Sequence, residues 1–534
     1  MHRVIFEDRT ERHLGRAIRQ QAEKNGDTCF LMFDTRRHSF HETNARVNEL
    51  AEGLRQRGIG RGDCVAFFMG SAPEVMFLVL AVNKLGGIWI PVNTDYRGAW
   101  LQDTLERSRP ALVVTDTAHA ARIAELGDSA GWPLAVLGDG AALPQAIDFD
   151  GLYVPGAGEP DLSGQSCGDT CAVLWTSGTT GRSKGVMQSH NVWFNAAFSG
   201  DDMHDTRAGD VIYNVMPMYN SGAWVTALFR AMLVGVSLAV DPAFSVQRFW
   251  DRVRFYGATQ TFTLGAMHMF LWNAPPRPDD ADNPLREIQA VPMPTELKEP
   301  FSRRFGVRVL GQGMSQSEAM MLIRQNTRER DSWPPGSCGN PVPFIDMKLC
   351  DDEGNEVPVG EAGELCARPK EPFAIFNGYL DDPAATAAAF HCEWYRTGDL
   401  LRRDAENNFY FVDRKKDAVR YKGRNVSTWE VESVARKHPA VQDCAAFGIR
   451  SAELAEEDEI KLNVILREGH DPAPEEIARF INANAPYFFV PRYIEYVSEL
   501  PYTPNGKVQK YRLRELGVGP ACWDARASGF VLQR

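Results

Sequence analysis

The feature that most constrains this chain is an apolar strand that runs directly into a loop of hydroxyls and glycines. The run Cys171 to Trp175 predicts a buried strand. The loop that follows contains Thr176, Ser177, Gly178, Thr179, Thr180 and Gly181, and it is closed by Lys184 and Gly185. Glycine has no Cβ to obstruct a ligand, and successive N–H groups with hydroxyls and one ammonium form a concave anion site. The stretch therefore predicts a polyphosphate-binding loop, with a Ser/Thr/Gly surface turn as the alternative.

The common P-loop pattern, G-x-x-x-x-G-K-[ST], does not explain this loop, because Lys184 is followed by Gly185. Elsewhere, strands alternate with helices. A helical pattern over Phe40–Gly58 precedes a strand at Cys64–Met69, and a helix at Pro73–Lys84 precedes a strand at Ile88–Val92. This alternation predicts an α/β fold with parallel sheets.

Whole-chain properties exclude several classes of partner. The 534 residues carry a formal net charge of −12, which argues against nucleic acid as a partner. No stretch approaches the roughly 18 apolar residues of a membrane span, and the first residues lack the apolar core of a signal peptide. Ten scattered cysteines are typical of thiols in a reducing compartment. These properties predict a cytoplasmic protein.

The loop sequence resembles the phosphate loop of adenylate-forming enzymes, which include acyl-CoA synthetases, luciferases and nonribosomal adenylation domains. Ser183 stands where that family usually has proline. Further motifs follow in the family's order between about Phe40 and Arg514. The segment from Gly86 to Gly98 resembles the carnitine- and crotonobetaine-type CoA ligases. The other segments that match family motifs in order are Pro217–Ala223, Gly311–Ser317, Gly336–Pro341, Tyr395–Asp399, Phe411–Asp417 and Pro501–Lys507.

The resemblance implies a fold and a division into domains. It predicts a large N-terminal α/β domain over residues 1–413, built of layered sheets with a small β-barrel-like part. A hinge is expected at 414–417, centred on Lys416. A small mobile C-terminal α/β domain is expected over 418–534.

The resemblance also implies nucleotide-binding residues. Asp399 and Arg414 would contact the ribose hydroxyls, and a carboxylate is a natural acceptor for them. Lys507 would bridge the substrate carboxylate and the α-phosphate. Gln312 would lie beside adenine in place of an aromatic residue. The remaining predicted nucleotide contacts are Thr176, Ser177, Gly178, Thr179, Thr180, Lys184 and Ser315.

Two further groups of residues follow from the resemblance. Gly423 would admit the pantetheine thiol of CoA. The acyl pocket would be lined by small residues, so we expect it to be roomy and to accept a bulky apolar or polycyclic acid. Asn220 replaces the family's usual histidine and cannot titrate near neutral pH. The predicted acyl-binding residues are Tyr219, Asn220, Ser221, Gly222, Gly311, Gly313 and Met314.

The departures from the family pattern concentrate in the part that handles ATP. Gln316 stands where the family has a Mg²⁺-binding glutamate, and hard divalent ions prefer charged oxygen ligands. Residues Val291–Pro294 replace a glycine-containing loop that lies against adenine. A shifted register that uses Glu318 in place of Gln316 is the alternative alignment.

We therefore expect an acyl-CoA ligase that forms the thioester from an acyl-adenylate and CoA, with adenylation impaired or absent. Its ligands would be CoA and the AMP moiety of the adenylate, with ATP and Mg²⁺ only if adenylation is active. Its partners would be a small carboxylic acid or its adenylate, with an adenylating enzyme as supplier. The alternatives are a complete two-step ligase, a ligase that loads a carrier protein, and a nucleotide-binding pseudoenzyme.

Overall fold

The structure is a computed structural model of the chain. It describes residues 3–127, 131–176, 183–330, 332–415, 419–421, 424–450, 458–485, 487–502 and 508–532, with backbone alone at 266, 420, 421, 424 and 425. The chain divides into two compact units. The first contains Met1–Thr176, Ser183–Asp346 and Ala367–Phe390, and the second contains Met347–Cys366 and His391–Arg534. This grouping does not locate a hinge, so the predicted boundary at Asp413 stays a prediction.

The strands up to Pro341 belong to the first unit. They are β1 (Cys29–Phe33), β2 (Arg36–Ser39), β3 (Cys64–Phe68), β4 (Ile88–Pro91), β5 (Leu112–Asp116), β6 (Leu134–Leu137), β7 (Ile147–Asp148), β8 (Thr170–Thr176), β9 (Lys184–Ser189), β10 (Val211–Asn214), β11 (Ser237–Val240), β12 (Gln260–Leu264), β13 (Glu287–Val291), β14 (Arg308–Val309), β15 (Gly313–Met314), β16 (Ile323–Arg324) and β17 (Asn340–Pro341).

Two sheets of seven described strands dominate this unit. Their spatial orders are β14-β13-β12-β10-β11-β1-β2 and β7-β6-β5-β3-β4-β8-β9. All described pairings in them are parallel except those of the edge strands β2 and β9. Strands β15, β16 and β17 form a small antiparallel sheet. The predicted parallel α/β architecture is confirmed.

Helices cover the parallel sheets, because both faces of such sheets must be buried. The predicted helix at Pro73–Lys84 has these bounds in the structure, and Glu74 is its one residue that is not buried. The helices of this unit are α1 (Leu14–Asn25), α2 (Phe40–Gln56), α3 (Pro73–Lys84), α4 (Gly98–Ser108), α5 (Ala120–Ala124), α6 (His190–Asp201), α7 (Ser221–Ala223), α8 (Phe229–Val234), α9 (Phe249–Tyr256), α10 (Ala266–Asn273), α11 (Thr295–Phe305) and α12 (Pro383–Ala388).

The second unit contains most of a five-stranded sheet and all of a four-stranded sheet of order β25-β26-β27-β28. Two helices pack on the latter through a common apolar core. The remaining strands are β18 (Ile345–Cys350), β19 (Gly363–Pro369), β20 (Phe390–His391), β21 (Trp394–Arg403), β22 (Phe409–Arg414), β23 (Val419–Tyr421), β24 (Arg424–Val426), β25 (Val441–Arg450), β26 (Asp458–Leu466), β27 (Tyr493–Tyr496) and β28 (Trp523–Asp524), and the helices are α13 (Thr428–Ala435), α14 (Pro474–Asn484) and α15 (Lys510–Leu516). None of the described helices is both long and apolar enough to cross a bilayer.

A buried histidine pair makes the stability of the first unit sensitive to acid. The rings of His13 and His190 lie 3.8 Å apart, and the backbone N–H of Leu14 donates to Nδ1 of His190. Burial lowers the pKa of His13 to about 3 and holds the pKa of His190 well below its ordinary value. Both rings are therefore neutral in the folded protein, whereas in the unfolded chain they gain protons below about pH 6.5.

We expect the free energy of unfolding to fall as pH falls from about 6.5 toward 3, by about 1.4 kcal/mol per pH unit for each of the two histidines. Urea denaturation at pH 7, 6 and 5 measures this slope. His13→Asn keeps a side-chain acceptor for the N–H of Gly15 at the start of α1, but it removes one titrating group. The slope of the free energy of unfolding against pH should therefore decrease by the contribution of one proton, about 1.4 kcal/mol per pH unit. A slope equal to that of the wild type would contradict the assignment.

Candidate functional site

The predicted phosphate loop is carried by a hairpin. Strands β8 and β9 pair antiparallel, and Thr176 and Lys184 face each other at the end where residues 177–183 connect the two strands. The Thr176 hydroxyl donates to the Lys184 carbonyl at 3.3 Å. Arg107 donates to the Ser183 carbonyl at 2.8 Å, with its guanidinium over the ring of Trp175. The ends of the loop are therefore fixed, while Ser177, Gly178, Thr179 and Thr180 lie outside the described residues.

The Lys184 ammonium and a carboxylate meet on one aromatic side chain. The Nζ atom lies 4.5 Å from the centre of the Tyr379 ring, and the Tyr379 hydroxyl donates to Oε1 of Glu318 at 2.8 Å. Burial and the nearby carboxylate raise the pKa of Tyr379, so its hydroxyl keeps the proton that it donates. The phosphate-loop lysine and Glu318 are thus held by a shared partner that sequence reasoning missed. The sequence offers one indication of it, because the segment Asn377-Gly378-Tyr379 also resembles a segment of the adenylate-forming enzymes.

The three-stranded sheet shows where glycine is required. A Cβ on Gly311 would lie 1.4 Å from Oε1 of Gln325, and one on Gly313 would lie 2.9 Å from the carbonyl oxygen of Ile323. Ser315 carries an exposed side chain. The glycine requirement therefore falls at 311 and 313, which favours the alignment that puts Gln316 at the glutamate position over the shifted register.

The same contacts correct one expectation about the acyl pocket. The small residues Ser221, Gly222, Ala223, Gly311 and Gly313 predict a roomy pocket. The space beside Gly311 is filled by Gln325, whose amide donates to the Ser337 carbonyl at 2.6 Å. The space beside Gly313 is bounded by Ile323 and by the side chain of Met203, 3.5 Å from the added Cβ. These glycines permit close packing of neighbouring chain, so they do not support a bulky substrate.

The predicted acyl-binding turn follows β10. The Asn220 side chain accepts a hydrogen bond from the Gly222 N–H at 2.8 Å and so caps the short helix that begins at Ser221. Its side-chain oxygen therefore has a local structural partner. The Tyr219 hydroxyl lies 3.4 Å from Oδ2 of Asp95, and Met314, the remaining predicted acyl contact, is buried.

Two departures from the family pattern contact each other. The Gln312 amide donates to the carbonyl of Met293 at 3.2 Å. His268 lies beside the same loop, with Nε2 2.9 Å from the carbonyl oxygen of Pro292. The side chain that replaces an aromatic residue thus binds the loop that replaces the glycine-containing one. Sequence reasoning noted each change but could not pair them.

The turn at Gly339 provides a sharp test of packing around this sheet. Gly339 has φ = 102°, and an added Cβ would lie 2.1 Å from the backbone oxygen of Arg324. We expect Gly339→Ala to lower the free energy of unfolding by roughly 3 kcal/mol or more, because backbone strain and overlap add. Gly336→Ala is the matched control, since its φ is 76° but nothing lies within 4 Å of its added Cβ. Denaturant titration of both variants measures the difference, and equal costs would refute the steric account.

In the second unit, the structure brings the two predicted ribose contacts together. Asp399 on β21 and Arg414 on β22 are paired in register, and Nε of Arg414 lies 2.7 Å from Oδ1 of Asp399. Asp399 is 1% exposed. Glu364 fixes the residues adjacent to this pair: it accepts a hydrogen bond from the Gly398 N–H at 3.1 Å and pairs with Lys415 at 2.9 Å. The buried carboxylate of Asp399 is therefore fixed beside the half-exposed guanidinium of Arg414.

Several predicted residues lie outside the described parts of the chain. They are the hinge residue Lys416, the pantetheine-channel residue Gly423 and the adenylation lysine Lys507. Tyr502 and Val508, which precede and follow residues 503–507 in the sequence, form an antiparallel bridge. The roles of these residues stay predictions.

The structure thus combines a parallel α/β unit, which carries the hairpin of the predicted phosphate loop, with a second, smaller α/β unit. The chain belongs to the adenylate-forming superfamily: it matches the AMP-binding enzyme family over residues 18–380 and the AMP-binding enzyme C-terminal domain over residues 430–507. It is an acyl-CoA ligase of that superfamily, which confirms the family and the enzyme class inferred from the motifs.

The chain is similar to known proteins over most of its length. It is 31% identical over 506 residues to the crotonobetaine/carnitine–CoA ligase of Salmonella paratyphi B, covering 92% of this chain and 96% of the relative. It is similar in fold to ATP-bound MatB from Rhodopseudomonas palustris, with TM-score 0.82, 24% identity and coverage of 94% and 98%. It also resembles a benzoate CoA ligase from Burkholderia xenovorans LB400, with TM-score 0.82, 23% identity and coverage of 94% and 99%.

Proposed function

We propose that the chain forms an acyl-CoA thioester from an acyl-adenylate and CoA, and that its adenylation half-reaction is impaired or absent. The observation that carries the proposal is Gln316 at the position where the family has a Mg²⁺-binding glutamate. A neutral amide oxygen is a weaker ligand for Mg²⁺ than a carboxylate. The nearest carboxylate in sequence, Glu318, accepts a hydrogen bond from Tyr379.

Mg²⁺ on a triphosphate is usually held by one or two carboxylates together with the phosphate oxygens. Gln316 offers a neutral amide oxygen in place of such a carboxylate. We therefore derive no step of the reaction through Mg²⁺. The Gln312–Met293 contact also supports impaired adenylation, because it joins two departures from the family pattern at the loop predicted to lie against the adenine of ATP.

The residues proposed for thioester formation match the motifs of the adenylate-forming family at the corresponding positions. In that half-reaction the CoA thiolate attacks the acyl carbonyl carbon, a C–S bond forms, and the C–O bond to phosphate breaks with its electron pair leaving on AMP. Asp399 and Arg414 would hold the ribose of the adenylate, and the Ser315 hydroxyl would lie beside its phosphate. Lys416 would act as the hinge and Gly423 would admit the thiol. None of these roles requires a triphosphate.

A complete two-step ligase is the second candidate, and one contact favours it. Tyr379 holds the Glu318 carboxylate and the Lys184 ammonium through one side chain. This arrangement holds a carboxylate and the lysine of the predicted phosphate loop on one tyrosine. In this alternative the acid reacts with ATP on the same chain, giving the adenylate and pyrophosphate.

The acyl substrate is proposed to be a small acid with a cationic group. The curated relatives are named for crotonobetaine and carnitine, which carry a quaternary ammonium group. Aromatic faces and carboxylates attract such a cation, and Tyr219 with its neighbour Asp95 offers both. The packing at Gly311 and Gly313 weakens the argument for a bulky apolar acid. Such an acid serves as the comparison substrate.

Paired reactions test the proposal. One contains crotonobetaine, carnitine and bulky apolar acids with Mg-ATP and CoA, and its twin contains the matching synthetic acyl-adenylates with CoA and no ATP. We expect acyl-CoA only from the adenylates. Product from both sets at comparable rates would replace this proposal with the complete two-step ligase, and product from neither set would remove the assignment of an intact thioester-forming half.

A further inference from the structure

A basic cavity in the first unit contains none of the residues assigned to the adenylate or acyl sites. Its volume is about 450 Å³. It is lined by the cations Arg3, Arg9, Arg12 and Lys370 and by the carboxylates Asp202 and Glu371. Such a concentration of positive charge is unexpected in a chain whose formal net charge is −12.

The two carboxylates of the cavity are already engaged by other groups. Glu371 forms an ion pair with Arg9 and accepts a hydrogen bond from the Asn195 amide at 2.7 Å. Asp202 pairs with Arg324 at 3.0 Å and with Arg328 at 3.2 Å. Two further cations of the lining pair with carboxylates outside it: Arg3 lies 3.8 Å from Asp201, and Lys370 lies 3.6 Å from Asp346. Arg12 is therefore the one cation of the lining that has no carboxylate partner within the described residues.

Arg12 is the central uncompensated charge. Its Nη1 atom donates to the amide oxygens of Asn191 at 2.9 Å and Asn195 at 2.8 Å. Both partners are neutral, and within the described residues Arg12 forms no ion pair with a carboxylate. Burial, followed by repulsion from Arg9, lowers the pKa of Arg12 to about 10. A partly buried guanidinium beside like charges is stabilised when an anion binds.

The cavity also has an apolar wall. The guanidinium carbon of Arg3 lies 4.2 Å from the centre of the Phe198 ring, and Phe344 lines the same cavity. Arginine recognises phosphate through its planar set of donors, and phenylalanine faces pack against aromatic groups. The lining therefore matches a ligand with an anionic end and an aromatic end.

We propose that this cavity is a second ligand site, which binds a small phosphate monoester that carries an aromatic group. Arg12, Arg3 and Lys370 contact the phosphate, and Phe198 and Phe344 contact the ring. The site is independent of the proposed acyl-adenylate chemistry, so either can fail without the other.

Calorimetric titration with phenyl phosphate at low ionic strength tests this site. We expect saturable binding of one ligand per chain, weakened at least tenfold by Arg12→Gln. The Arg303→Gln variant is the matched control, because Arg303 is an exposed arginine of α11 whose side chain is 73% exposed. It should bind as the wild type does. Inorganic phosphate should bind the same residues more weakly, which separates free phosphate from a phosphate ester as the preferred ligand.

A second variant covers the case in which Arg12→Gln does not fold. The double variant Arg3→Gln/Lys370→Gln changes two cations whose side chains are 37% and 50% exposed, so it should fold normally and still weaken binding at least tenfold. Absence of saturable binding to the wild type, or equal affinity in the wild type and the double variant, would overturn the proposal.

Discussion

Gln316→Glu is expected to raise the rate of ATP–pyrophosphate exchange by about tenfold or more, which corresponds to about 1.4 kcal/mol of transition-state stabilisation. The substitution restores a charged oxygen at the position of the family's metal ligand, and it changes the side chain by one group of similar size. Thioester formation from a synthetic acyl-adenylate should change little, because that half-reaction involves no triphosphate. Isotope exchange with labelled pyrophosphate measures the first rate, and thioester release measures the second.

Two control variants make this result specific. Gln247→Glu adds the same charge at an exposed position away from the proposed site and should leave exchange unchanged. Glu318→Gln tests the alternative ligase, because a wild-type exchange activity supported by Glu318 would be lost in this variant. If Gln316→Glu folds normally and its exchange rate equals that of the wild type, the argument from the missing glutamate is wrong.

Asp399→Asn is expected to lower kcat/KM for thioester formation from an acyl-adenylate by roughly thirtyfold. The value follows from about 2 kcal/mol for losing hydrogen bonds to a charged group. The amide has the volume of the carboxylate, but it cannot accept the ribose hydroxyls through a charged oxygen and cannot pair with Arg414, which lies 2.7 Å away. Most of the loss should appear in KM for the adenylate, because the contact is proposed to bind ribose rather than the reacting carbonyl.

Asp404→Asn serves as the structural control for this prediction. Asp404 lies in the turn between β21 and β22, and its carboxylate accepts hydrogen bonds from the Asn408 amide and the Tyr410 hydroxyl, both at 2.8 Å. This variant should lower the melting temperature but leave KM for the adenylate unchanged. A similar rise in KM for both variants would mean that Asp399 acts only through the stability of the hairpin.

The sequence predicted the parts of the fold that depend on local pattern. The helix at Pro73–Lys84 begins at a proline, which is favoured in a first helical turn, and its bounds were predicted without error. The strand before the phosphate loop was found because apolar residues continued up to the first hydroxyl. The antiparallel return strand β9 was not predicted, since its residues carry no strong apolar alternation and its pairing partner is set by the loop.

Local motifs also identified the enzyme class, because the chemistry of an adenylate requires particular residue types at fixed spacing. They did not determine the space around those residues. The sequence suggested that Gly311 and Gly313 leave a roomy pocket, whereas in the fold Gln325 and Ile323 fill the space beside them. A missing side chain gives no information about which distant residue packs against the backbone.

The sequence by itself determined the class of this protein and its α/β architecture, because both depend on residues that are close together in the chain. Only the tertiary structure decided which side chains meet. It placed Tyr379 between Lys184 and Glu318, and it grouped Arg3, Arg12 and Lys370 around one cavity. Such contacts join residues separated by tens to hundreds of positions, and their distances depend on how strands and helices pack rather than on any local pattern.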